Sequence, residues 1–125
     1  MDRQIEEARD LIKQAQELIR KKAQLIGNKY MKEDVISVAG NLAYKGVLVA
    51  LDHFVPDLPN GERKSLKYYK AFLDMKDFKL LLLFNQAYNI LHIKMGYDGN
   101  TNAKTIKKGF GIAETLIDAI DNELF

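Results

Sequence analysis

The stretch 77–95, DFKLLLLFNQAYNILHIKM, decides how this chain folds. Leu81, Phe84, Tyr88, Leu91 and Met95 recur at alternating three- and four-residue steps, the spacing of one helical face. Leu83, Ala87 and Ile90 fall on another side of the same helix. A helix that is apolar around most of its girth must be covered on more than one side, so the stretch predicts either the centre of a helical bundle or a seam between two chains. Its densest run, LLLLF at 80–84, stands between Lys79 and Asn85 and falls far short of the ~20 residues a membrane span needs. No membrane association is expected.

Working outward, the same periodicity recurs. Ile5, Ala8, Ile12, Ala15 and Ile19 predict a first amphipathic helix that stops at IGNKY, 26–30. A second helix, from about Lys32, carries Val35, Val38, Ala39, Leu42, Ala43, Leu48, Ala50, Leu51 and Phe54, and its small residues Ala39, Gly40, Ala43 and Gly46 let a neighbour approach closely. VPDLPNGE, 55–62, is a loop, because proline cannot continue a helix and Asn-Gly favours a turn. A third helix starts near Glu62 or Ser65 with Leu66, Tyr69, Phe72 and Leu73, and whether it continues into the fourth stays open. Ile106, Phe110, Ala113, Ile117, Ile120 and Leu124 predict the last helix. No strand-like alternation competes. The expected fold is all-α, one domain over residues 1–125, an antiparallel bundle of four to five helices joined by short connections.

Composition agrees. The 125 residues are 47% hydrophobic and 29% charged, and 19 Lys and Arg against 17 Asp and Glu leave a net charge of only +2. That balance fits a globular protein and excludes an overwhelming basic field of the nucleic-acid-binding kind. The absence of cysteine removes disulfides, thiol nucleophiles and Cys-based zinc sites, and with the charged opening MDRQIEEARD it makes a cytoplasmic location the expectation.

One feature of the fourth helix carries chemistry. At 100° per residue, Asn85, Asn89 and His92 share a stripe about 60° wide that flanks the core. Partly buried polar groups must be satisfied, so the stripe is a register-fixing network, or one wall of a cleft in which His92 moves protons while Asn85 and Asn89 orient a ligand, or else plain exposed surface. The first should be sealed and the second wet. Basic residues Arg63, Lys64, Lys67 and Lys70 lie beside Tyr68 and Tyr69, a pairing that suits nucleic acid but more often marks a solvated face. DGNTNA, 98–103, starts like a calcium loop and then lacks its glycine and its bidentate glutamate. Gly96 is expected instead to end the fourth helix in a left-handed cap, with Asn100 or Thr101 capping the next, and Gly109 and Gly111 to be close-packing positions. His53 and His92 have no second ligand at metal spacing, so neither a metal nor another cofactor is expected, and His53 reads as a helix-end packing residue.

The segments KYMKEDVISVAGNLAYKGVLVALDHFV, 29–55, and FNQAYNILHIKMGYDGNTNAKTIKKGFGIAETLIDAI, 84–120, resemble the HEPN superfamily of nucleotide-binding helical bundles. Catalytic members of that family carry an Arg with four to six residues between it and a following His and bring two such pairs together at a dimer cleft. If His92 is that histidine, the arginine positions hold Asn85, Gln86 and Ala87, none of them cationic. Without that charge, phosphodiester cleavage loses a principal electrostatic contribution. Other members, with a Tyr- and Asp-containing turn that GYDGN resembles at Tyr97 and Asp98, look like scaffolds. The resemblance thus implies a non-catalytic, HEPN-like interaction module, a homodimer through helix 77–95 with a further protein partner possible. The alternative it leaves is a nucleotide- or RNA-binding protein using His92, with Tyr97 and Asp98 beside Asn85 and Asn89.

Overall fold

A computed structural model describes residues 3–123. Helix α1 (Arg3–Lys22) buries Ile5, Ala8, Ile12, Ala15 and Ile19 and turns its charged residues outward, as its period requires. Beyond it, Gly27 adopts φ 63° and the chain doubles back as two short strands, β1 (Leu25–Ile26) and β2 (Lys29–Tyr30), paired antiparallel. A two-residue Gly-Asn loop with positive φ at its first position suits a tight hairpin. This corrects the expectation of no strand at all, because two-residue strands are too short to alternate legibly.

Helix α2 (Glu33–Phe54) is long and apolar enough, by length and composition alone, to cross a membrane, yet its small residues lie where neighbouring helices approach. A Cβ on Gly46 would stand 3.0 Å from the Ala8 carbonyl oxygen of α1, and one on Gly40 would stand 2.5 Å from Met95 Cβ. Val38, read as part of the apolar face, is instead 58% exposed, on the opposite side from buried Ala43 and Val47.

The Pro-rich loop is fastened by Lys64, whose side chain is only 7% exposed; its Nζ bonds Asp52 at 2.9 Å, Asp57 at 3.1 Å and the Val55 carbonyl at 2.9 Å. Tyr69 donates its hydroxyl to the same Asp52 at 2.6 Å. Ser65 caps α3 (Leu66–Lys76) by accepting from Tyr68 N at 3.0 Å. Asp77, with φ −158°, ends α3 and caps α4 (Phe78–Ala87) by accepting from Leu80 N at 3.1 Å. The third and fourth helices are therefore separate.

From Tyr88 to Tyr97 the chain winds as a π-helix, with Asp98 N donating to Ile93 O at 2.9 Å, five residues back. The sequence reading had α-helix through Met95, and the wider winding changes which side chains face which neighbour. The left-handed residue after this segment is Gly99, φ 65°, and not Gly96, which is buried inside it. Helix α5 (Ala103–Glu123) is capped by Asn102, whose Oδ1 accepts from Thr105 N at 3.0 Å, while Asn100 accepts from Asn102 N at 2.9 Å to shape the approach. Ile106, Phe110, Ala113, Ile117 and Ile120 are buried, and Leu124 lies outside the described residues. Gly109 packs as expected, a Cβ there meeting Ile90 Cγ2 at 2.6 Å, whereas Gly111 is exposed with open space around it. Arg9 spans from α1 to Asp118 at 2.7 Å and Asp121 at 3.1 Å, which sets α1 and α5 side by side. The product is an all-α helical bundle whose core contains Phe84, Leu91, Met95 and Leu116.

Candidate functional site

His92 lies half-buried on the π-helical segment, facing α2. Its ring stacks on Tyr44 with centroids 4.8 Å apart and planes 26° from parallel, and Tyr88, itself edge-on to Tyr44, lies 5.3 Å from it. Nδ1 stands 3.2 Å from Asn41 Oδ1. An amide oxygen only accepts, so the imidazole donates to it through Nδ1. The other end of the Asn41 amide donates to the Gly96 carbonyl at 3.4 Å, and Ser37 Oγ donates to the same carbonyl. Carbonyls at a helix end lack partners within the helix, and here two side chains of α2 supply them. Tyr44 contacts Phe84 and Tyr88 as well, and burial first, then the proximity of Tyr88, pushes its hydroxyl up to about 12.

The three residues of the expected stripe do not stay together. Asn85, still on α-helix, turns toward α3 and lines a cleft of about 490 Å³ with Leu66, Lys67, Lys70 and Asp74; its Oδ1 is buried with no donor among the described residues. Asn89 is exposed, and His92 faces α2. Extrapolating 100° per residue across a π-helix produced the mistaken stripe. Tyr97 is 83% exposed and Asp98 is exposed, and neither bonds the imidazole. His53 is half-buried in the last turn of α2.

The basic cluster is likewise divided. Lys64 is taken up by Asp52 and Asp57, which removes it from any nucleic-acid surface; burial alone would lower its pKa, but these ion pairs outweigh burial and raise it. Lys70 holds its Nζ 5.6 Å over the Tyr88 ring, and Arg63 and Lys67 are exposed. What the sequence reading missed is the polar set on α2. Ser37, Asn41 and Tyr44 stand at i, i+4 and i+7, one face of that helix, and this spacing was the available signal. As chemistry, the assembly is an imidazole held by an amide and packed against two aromatic rings, with no guanidinium at the positions that phosphate cleavage would need.

Residues 3–122 match the model of a family described as a domain of unknown function (DUF5618). A solved structure of a protein of unknown function from Dyadobacter fermentans is 34% identical, with a TM-score of 0.90 over 96% of this chain and 95% of that one. No curated protein matches.

Proposed function

Since the chain belongs to the DUF5618 family, whose description assigns no activity, we propose from the geometry that it is a non-catalytic interaction module of HEPN type that pairs with a second copy of itself through α4. The observation that carries this reading is the exposure of Met75, Phe78 and Leu82, at 73%, 60% and 48%. Phe78 and Leu82 are i, i+4 neighbours on one helical face, and Met75 lies in the last turn of the preceding helix, three residues before Phe78. Gln86 and Asn89 continue the exposed line with amides, which both donate and accept. A stripe that is apolar at one end and amide-bearing at the other can face its own copy across a two-fold axis, as a closed dimer requires. His92 supports the non-catalytic part, because its polar partners are those of a lock between α2 and the π-helical segment.

Sedimentation of the wild type and of Phe78→Glu/Leu82→Glu tests the proposal. A dimer in the wild type that becomes a monomer in the variant, with an unchanged helical circular-dichroism spectrum, is expected. A wild type that stays monomeric at every concentration overturns it.

A further inference from the structure

Arg9 pins α1 to α5 near one end, and toward the other end a groove of about 740 Å³ opens between the two helices. Its floor is apolar, from Ile19, Ala23, Ile106 and Phe110, and the β1–β2 hairpin walls it with Leu25 and Tyr30. The hairpin is unusually greasy for a surface turn. Leu25 is 52% exposed, Ile26 56% and, just past β2, Met31 50%. The surrounding charge is mostly positive. Arg20 and Lys107 line the groove, Lys104 and Lys108 flank it on the first turns of α5, and Lys22 and Lys29 stand at the end of α1 and on the hairpin. Arg20 and Glu17 neutralise each other at 2.6 Å, which leaves Lys107 against Glu114 in the lining and the flanking lysines around it.

Dimension selects the occupant. The lining follows α5 from Ala103 to Glu114, eleven rises of about 1.5 Å, or roughly 16 Å, which is three turns of helix. Arg20, Lys107, Gly111 and Glu114 are exposed, so the groove is open along its length. A small amphiphile needs enclosure on most sides, whereas a helix needs only one apolar face covered. Gly111, with nothing within 4 Å of a Cβ, leaves that wall smooth for a close approach. We propose that this groove docks a three-turn amphipathic helix of a partner protein, with apolar anchors on the floor and Asp or Glu side chains reaching Lys104 and Lys107. This surface is separate from the α4 face, so its fate does not depend on dimerisation.

The test titrates ¹⁵N-labelled full-length chain with a designed Leu-rich amphipathic helix bearing Glu on its polar face, with its Lys-for-Glu counterpart, and with anionic phosphatidylglycerol vesicles. The acidic peptide is expected to shift the amides of Leu25, Tyr30 and 103–114 saturably and to weaken with added salt, and Lys107→Glu is expected to cost about tenfold in affinity. Gly111→Leu, placed in open space, is expected to keep the fold and block the peptide. Three results overturn the proposal: equal binding of the two peptides, shifts confined to other faces, or capture by vesicles without binding of the acidic peptide.

Discussion

Two helical glycines, Gly40 buried on α2 and Gly111 exposed on α5, have opposite consequences when given a methyl group. At Gly40 a Cβ would meet Met95 Cβ at 2.5 Å, Leu91 O at 2.6 Å and Gly96 N at 2.8 Å, two of them backbone atoms that cannot swing aside. The ~1 kcal/mol that alanine gains over glycine in a helix is then overwhelmed by overpacking of about 1–3 kcal/mol. Gly40→Ala should lower the urea midpoint, and Gly111→Ala, in open space, should raise it by the propensity gain. Equal and positive shifts for both would show that the α2 contact with the π-helical segment is looser than these distances. The same contact explains what was illegible at this scale. Small residues at 39, 40, 43 and 46 announced a close neighbour, but nothing in 88–97 announced that the neighbour would be wound so as to bring Met95 and Gly96 there, or that Asn41 would reach His92.

Among the elements, α1 could be read residue by residue and α5 by its buried stripe from Ile106 to Ile120, though not at Gly111 or at its cap, because in each the 3.6-residue period survives. The fourth helix could be read only as far as Ala87. A π-helix shares the composition of an α-helix and differs in hydrogen-bond register, which apolar spacing does not encode over a single short segment. The break before α4 depends on one side chain in the same way. Asp77 sits between two helix-forming segments, and its carboxylate accepts from Leu80 N while its extended backbone separates α3 from α4. Asp77→Ala should cost about 1 kcal/mol in urea unfolding through loss of the cap, and Asp77→Asn, which retains an acceptor, should restore most of it. If the asparagine variant is as unstable as alanine, the junction is held by charge and not by capping.

Across the whole molecule, the groups that tie α2 to its neighbours share a direction of titration. Burial, the Asp52 hydrogen bond and the nearby Asp52 charge raise the Tyr69 hydroxyl well above its ordinary range, and burial raises Tyr44 to about 12. The ion pairs of Lys64 outweigh its burial and raise it too. For each of these groups the folded state holds its proton more tightly than the unfolded chain does. Their contribution is therefore complete below the ordinary values of 10.0 for tyrosine and 10.5 for lysine, and it is lost as pH climbs through the raised ones. Thermal stability should consequently fall between pH 10 and about 12. Tyr44→Phe keeps the ring against His92 and removes only the ionisable hydroxyl, so its decline over that window should be shallower than that of the wild type. Melting temperature followed against pH, with tyrosinate absorbance recorded alongside, separates the cases. Parallel curves for wild type and Tyr44→Phe would place the alkaline sensitivity at Tyr69 and Lys64, on the loop that Asp52 holds, and would leave the aromatic stack around His92 as packing without a share in it.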